Sequence, residues 1–598
     1  MICYRLRLAD LQRHHFEVEC RLENPNAEER FSLPSWIPGS YLLREYARHV
    51  VSVRATSQGE SVAIEKTDKR TWVVEGAKQD LTVTIRVHAL DLSVRGAYLD
   101  TTRAFFNGTC VFLSVAGRER EPVDVTIDAP SEPQSTDWRV ATAMTPSEVD
   151  ARGFGRYTAQ DYDELIDHPV EIADFARVEF TAADIAHALV ISGRHLTDLE
   201  RVAADMRQLC ETHLSFFGAP APFDHYVFLG LAVDQGYGGL EHRASASLVF
   251  NASDLPKPGE PGVPVEYQRF LSLVSHEYFH AWNVKQLKPA AFSPYRLGER
   301  NHTRLMWVFE GITSYYQDLM LLRSDLIGLD AYLNRLAQVL TKTYRTPGRR
   351  HQTLAESSFE AWDKLYKPEP NSLNATVSYY SKGAFVALAL DLTIRKASRS
   401  EISLDSVMLE LWKRYGRQGD GVGEQDFERV AAEVAGISLE AFFDAAVRST
   451  DDLPVADLLA EFGLDLELRA AIGPDDLGGT LNRRPTETPV SLGVGFRSAP
   501  SGLDLTHVRD GGAAEAAGLS AGDQVIAVDG YRVEARNFAK RLARYAPGDT
   551  VTIAYFRRNE LRRTEVAIEA AMLDTCSLSA VEHPSEDALA LRKSWLGR

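Results

Sequence analysis

The chain has 598 residues, 44% of them hydrophobic and 25% charged. That is more than one core encloses, so two to four globular domains are expected. With 84 acidic against 66 basic residues and a net charge of -18, broad nucleic-acid binding is disfavoured, because phosphate backbones are met by basic surfaces. The five cysteines, Cys3, Cys20, Cys110, Cys210 and Cys576, are scattered and form no C-x-x-C pair. An odd, dispersed set fits free thiols in a reducing compartment and argues against zinc held by paired cysteines. The opening MICYRLRLADLQRHHFEVEC carries no apolar core of a signal peptide, and no stretch is long and apolar enough to span a bilayer. The expectation is a cytoplasmic protein without a membrane partner, or a periplasmic one if a precursor segment was removed.

In chain order, residues 1–165 read as a β-sandwich-like domain. YRLRLAD, HHFEVECRL, TWVVEG, DLTVTIRVHAL and VDVTIDA are short alternating or β-branched runs punctuated by turn residues, interrupted by PSWIPGSYLLREYARHV. Residues 166–470 change texture to an α+β domain, mostly helical. Helical periodicity marks LTDLERVAADMRQLCETHLSFFG, VEYQRFLSLVSHEYFHAWNVKQL, RLMWVFEGITSYYQDLMLLRS and SKGAFVALALDLTIRKAS. Between the first two, DHYVFLGLAVDQGYGGLEHRASASLVF reads as strand, glycine loop, strand. A linker rich in Gly, Pro and Thr, residues 472–490, leads to a small β domain over 485–572, and 573–598 forms a C-terminal tail.

The chemistry concentrates in SHEYFHAWN, residues 275–283. On a helix, His276 and His280 lie one turn apart on one face, a spacing that lets two imidazoles converge on one zinc ion while Glu277 reaches the reacting water as general base. The same residues also describe a buried helix that carries two histidines. Glu310, thirty residues after His280, sits in WVFEGITSYY among Trp307, Val308, Phe309, Ile312 and Tyr315. A carboxylate in so apolar a helix needs a partner, because an unpaired buried charge is expensive, and zinc supplies one.

H-E-x-x-H followed by a distant E-G helix resembles the gluzincin metallopeptidases, whose third ligand is glutamate. More closely, GYGGLEHRAS, SHEYFHAWNVKQLKP, WVFEGITSYY, YYSKGAF and the terminal β domain together resemble the glycyl aminopeptidase family, and WIPGSYLLREYARHV is similar to its sheet-domain motif. The resemblance runs over nearly the whole chain. It implies a thermolysin-like catalytic domain with zinc as cofactor, held by His276, His280 and Glu310. It further implies that Tyr380 hydrogen-bonds the oxyanion, and that Glu241, beside Gly238 and Gly239, holds the substrate's α-ammonium. Leu240 and His242 depart from the commoner G-x-M-E-N pattern.

Residues 491–496, SLGVGF, resemble the carboxylate-binding loop of PDZ domains, and GGAAEAAGLSAGDQVIAVDG resembles their signature. Leu492, Gly493, Val494, Gly495 and Phe496 would then receive a peptide C-terminus on backbone N–H groups beside a sheet edge. The expected activity is a zinc aminopeptidase acting on peptides with a free N-terminus, with glycine or alanine preference implied by the family. The alternatives are an endopeptidase of the same clan, and a PDZ-bearing binding protein with a degenerate site.

Overall fold

A computed structural model describes residues 2–416, 419–481 and 488–597. The chain falls into two compact units, Met1–Asn301 with Trp412–Gly423, and His302–Leu411 with Glu424–Arg598. Each is described by itself.

The first unit begins with an eight-stranded sheet. Ile2–Asp10 pairs antiparallel with His15–Glu23 and parallel with Val123–Ile127. Its alternation buries Ile2, Tyr4, Leu6 and Leu8 on one face, as period-two patterning dictates. A four-stranded sheet that includes Glu28–Ser32 and Thr71–Glu75 sends Phe31, Trp72 and Val74 into the same core. The layers are those of a sandwich. The interruption at residues 36–50 is a tight turn, bridged from Ile37 to Ser40, followed by a single 3-10 turn over Tyr46–His49. Its aromatics lie against the later part of the unit, with Trp36 and Tyr41 both packed on Phe292.

A five-stranded sheet follows. Its order is Ala176–Ala182, Ile185–Ser192, His225–Val233, Ser245–Asn251, Gly238–Glu241. The three inner strands are parallel and the two edges antiparallel. The middle strand, HYVFLGLAV, is buried along nearly its whole length, as a strand covered on both faces must be. The helix Leu199–Phe217 crosses between two of these parallel strands, capped by the Asp198 side chain on the Arg201 N–H. Val265–Phe279, starting after Pro264, packs on the strands at the far edge.

The second unit opens with a π-helical turn, Trp307–Gly311, that continues as Ile312–Arg323. The sequence periodicity gave no sign of the change in pitch. Ser381–Ser398 crosses it where two glycines meet: a Cβ on Gly311 would lie 2.5 Å from the Gly383 Cα. Glycine at both positions is therefore a packing requirement. The terminal β domain has Val494–Ala499 at one edge of its sheet, beside the helix Ala535–Leu542. Of the expected linker, residues 482–487 lie outside the described residues. The part before them is tied down by Arg469 on Asp476 at 2.6 Å. Residues 573–597 return to the unit: Leu573–Ala580 pairs with Leu464–Ala470, and Trp595, fully buried, donates from Nε1 to the Tyr315 hydroxyl at 2.7 Å.

Candidate active site

Val265–Phe279 is buried from Phe270 onward except at His276, which is half-exposed. The helix stops at the motif itself, with His280 as its C-cap residue. There the two rings stand nearly perpendicular, and their Nε2 atoms face each other at 3.1 Å. The Nδ1 of His280 lies 2.6 Å from the carbonyl of Asn283. A carbonyl only accepts, so Nδ1 carries the proton and Nε2 keeps its lone pair for a ligand. This is the usual way a second hydrogen bond fixes the tautomer of a metal-binding histidine. Two imidazole nitrogens brought this close repel unless a proton or a cation lies between them. The donor set fits zinc.

Glu277 and Glu241 are both buried, at 5% and 3% exposure. With His280 they form a group whose ligand atoms lie within 4.8 Å of one another. Glu241 ends the edge strand Gly238–Glu241. Gly239 of that strand lies directly on Glu277, and any Cβ there would overlap the carboxylate. The WIPGSY turn closes on Glu241 from the other side. A Cβ on Gly39, whose φ is +94°, would come within 2.5 Å of Glu241 Oε1. Gly39 thus needs glycine twice over, for its left-handed backbone and for the space. Arg95, also from the sheet domain, donates from Nη2 to the Gly239 carbonyl at 3.0 Å.

A buried charge network underpins this corner. Asp167 accepts from Lys285 Nζ at 2.6 Å, from the His242 ring at 3.1 Å and from Arg243 Nε at 2.9 Å. Burial works against its ionisation, but Lys285, His242 and Arg243 hold its carboxyl well below the usual range. His242, which stands in place of the asparagine, is thereby committed to positioning the strand end. Gly39, Arg95, Asp167 and Lys285 escaped the sequence reading. The turn and the lysine lay in motifs already noted, but nothing local assigned either to this corner.

In the second unit, Glu310 is buried within the π-turn. Such turns recur at functional sites. Tyr380 is the N-cap residue of Ser381–Ser398, half-buried and stacked on fully buried Tyr379 with ring centroids 4.8 Å apart. Its hydroxyl is 2.8 Å from that of Tyr366, which accepts from Tyr379 at 3.3 Å. Burial, then the Glu310 carboxylate and Tyr366, push the Tyr380 phenol well above its ordinary pKa. Of the loop residues in the terminal domain, Leu492 is buried and accepts from the Ala514 N–H, while the Gly493 carbonyl accepts from the Arg509 N–H. Val494, Gly495 and Phe496 begin the edge strand, with Phe496 edge-on to Phe538 at 5.2 Å.

A histidine pair bracketing a buried glutamate, next to an acidic strand end in a mixed sheet, is the layout of a peptidase. Residues 3–174 match the Peptidase M61 N-terminal domain, 269–386 the M61 glycyl aminopeptidase, and 490–568 the PDZ domain. The crystal structure of an aminopeptidase N family protein from Idiomarina loihiensis is 38% identical, with a TM-score of 0.96 over 100% of both chains. The chain belongs to the M61 glycyl aminopeptidase family, and is a peptidase with a C-terminal PDZ domain. An M1 zinc metallopeptidase from Deinococcus radiodurans is 14% identical over 76% of this chain and 94% of its own, with a TM-score of 0.47. A probable periplasmic serine endoprotease DegP-like protein from Bartonella henselae is 32% identical over 88 residues, which is 14% of this chain and 17% of that protein.

Proposed function

We propose that this peptidase is a zinc-dependent aminopeptidase that removes N-terminal glycine or alanine from peptides. The observation that carries the reading is the facing Nε2 pair of His276 and His280, 3.1 Å apart, beside buried Glu277 and Glu241. His276 and His280 hold the ion through Nε2, and Glu310, by its place in the E-G motif after H-E-x-x-H, is the third ligand. When bound, zinc supplies Lewis acidity toward the scissile carbonyl and the attacking water.

The remaining steps belong to side chains. Glu277 takes the proton of the attacking water and returns it to the leaving amine. Tyr380 donates a hydrogen bond to the oxygen on which charge develops. A phenol whose pKa is pushed up stays protonated, and so stays a donor, through the neutral range. With Tyr379 donating to Tyr366, the Tyr366 proton turns to the Tyr380 oxygen and strengthens it as a donor in turn. Glu241 receives the substrate's α-ammonium, which selects chain ends over internal bonds. The absence of side chains at Gly238 and Gly239 lets the substrate backbone lie close to the edge strand. The PDZ loop, Leu492 to Phe496, takes a peptide C-terminus.

The test is a metal analysis joined to a matched substrate pair. Purified protein is expected to hold about one zinc per chain, and chelation to abolish turnover. Glu277→Gln should keep the metal while losing on the order of 100- to 10,000-fold in rate. Peptides with a free N-terminal glycine or alanine should be cut and their acetylated forms spared. Equal rates on the two peptides would make the enzyme an endopeptidase. Metal-free protein with full activity would end the reading altogether.

A further inference from the structure

Tyr366 and Tyr380 are the two ends of an arch. Their hydroxyls meet at 2.8 Å, and the fourteen residues of separation between them pass through the short helix Ser372–Ala375. At the crown of the arch stands Asn374, 4% exposed. Its carboxamide is fully committed. Nδ2 donates to the Val508 carbonyl at 2.9 Å and to Asn371 Oδ1 at 3.2 Å, and Oδ1 accepts from the Asp510 N–H at 3.1 Å. Val508 and Asp510 belong to the PDZ domain. A buried amide that pairs twice with the same backbone turn is a clamp, because breaking it strands polar groups away from water.

That turn is also the wall of the PDZ loop. Val508 ends the strand Gly502–Val508 and is the register partner of Val494 in the edge strand. The next residue, Arg509, donates its N–H to the Gly493 carbonyl at 2.8 Å. Its side chain is anchored on Asp574 at 2.6 Å. Three consecutive residues, 508 to 510, therefore touch the peptide loop on one side and the tyrosine arch on the other. The arch is held elsewhere as well, by Val377 N–H on Gln352 and by Ser357 on the Val377 carbonyl. The crown is the point at which the PDZ domain bears on it.

We propose that the PDZ domain is a positioning element for Tyr380, acting through Asn374, and that a peptide C-terminus seated at Leu492–Phe496 raises turnover rather than substrate affinity. The inference rests on the reading of Tyr380 as the oxyanion donor. Asn374 touches no substrate in this scheme. It sets where the arch holds the two phenols, and a misplaced donor costs transition-state stabilisation without weakening ground-state binding.

The experiment uses the full chain. Arg509 to Gly512 form a turn closed by the Gly512 N–H on the Arg509 carbonyl, with Gly511 at φ +73°. Asp510 is its second position, where proline is welcome. Asp510→Pro therefore removes the one N–H that meets Asn374 while suiting the turn. Asp510→Pro and Asn374→Ala should each lower kcat about 5- to 10-fold, on the scale of one or two lost hydrogen bonds. KM should move less than about twofold. Hydrogen exchange over residues 366–380 should speed up in both. An N-acetylated hexapeptide ending in valine should raise kcat and slow that exchange in the unmutated enzyme, its C-terminal amide should do neither, and Asp510→Pro should abolish the response. Tyr380→Phe is run alongside. If it is impaired while Asp510→Pro and Asn374→Ala keep normal kcat and exchange, the coupling is wrong and the Tyr380 reading stands. If Tyr380→Phe turns over normally, the underlying reading falls and this inference with it.

Discussion

The protein carries two glycine-led edge strands that, in the proposed function, receive opposite ends of a peptide. Gly238–Glu241 lies in the first unit and Val494–Ala499 in the PDZ domain. Both leave one edge of a sheet open to an extended chain, the general route for capturing a peptide backbone. On that proposal they differ in how the terminus is met. An α-ammonium calls for a fixed anion, and the first strand ends in buried Glu241, braced by the Gly39 turn and by the Asp167 network. A carboxylate calls for donors, and the second strand is led by a loop of backbone N–H groups with no buried acid in it. In the proposed function the countercharge comes from a side chain in one case and from peptide dipoles in the other. A side-chain charge needs a far more elaborate support, because a buried carboxylate is costly wherever its surroundings are loose.

The largest effect that would sharpen this contrast is at Glu241. Glu241→Ala should cost peptides with a free amine on the order of 2 to 5 kcal/mol, or roughly 30- to several-thousand-fold in kcat/KM. It should leave zinc bound and barely change the slow turnover of acetylated peptides. The corresponding loss at the PDZ loop has no single residue to remove. If Glu241→Ala cut free and acetylated peptides with the same ratio as the unmutated enzyme, the ammonium would be recognised elsewhere and the comparison would break.

Matched alanines come next. A Cβ at Gly239 overlaps the Glu277 carboxylate, and a Cβ at Gly495 overlaps the ring of His507. The steric insult is alike, but the neighbours differ. Glu277 is buried and is the base in the proposed mechanism, so moving it would move the reacting proton. His507 is half-exposed and has room to swing. Gly239→Ala should therefore lower kcat about 100-fold, comparable to losing a catalytic group. Gly495→Ala should leave hydrolysis of di- and tripeptides within about twofold. Equal sensitivity at the two glycines would mean that the PDZ edge is part of the chemistry.

The two strands were not equally legible in the sequence. The PDZ edge could be read because its determinants are local: SLGVGF and the following signature lie within some forty residues and specify loop, strand and turn together. The histidine pair was legible for the same reason, since i and i+4 on a helix are neighbours whatever the fold. GYGGLEH was read as a glycine loop between two strands, whereas Gly238–Glu241 pairs antiparallel with Ser245–Asn251 as an edge strand, and its supports were not read at all. Arg95 reaches Gly239 across 144 residues and Lys285 reaches Asp167 across 118. Such contacts depend on which loops the sandwich brings to the sheet, and no periodicity encodes that. The π-turn at Trp307–Gly311 was missed because its side-chain pattern is that of any buried helix, while the change of pitch lies in backbone hydrogen bonds.

The smallest expected effect concerns acidity at the PDZ edge. His507 lies across from Gly495 in the sheet register, its ring over the glycine. Burial lowers its pKa below the ordinary histidine value, so the free domain holds it neutral near pH 7. A peptide carboxylate docked in the loop favours the cation and raises that pKa in the complex. The complex then binds more protons than the free domain between the two pKa values, and by linkage affinity rises as the pH falls through that window. Below the free-state pKa it levels off. A half-exposed ion pair is worth no more than about 1 kcal/mol, so affinity for an acetylated peptide with a free C-terminus should rise about two- to fivefold between pH 8 and pH 5.5. Titration calorimetry at several pH values measures it. His507→Gln should flatten the curve, and the C-terminal amide should not bind tightly at either pH. An unmutated domain whose affinity does not change over that range would place the docked carboxylate away from His507. The second edge strand would then meet its terminus through backbone dipoles alone, which makes its contrast with Glu241 complete.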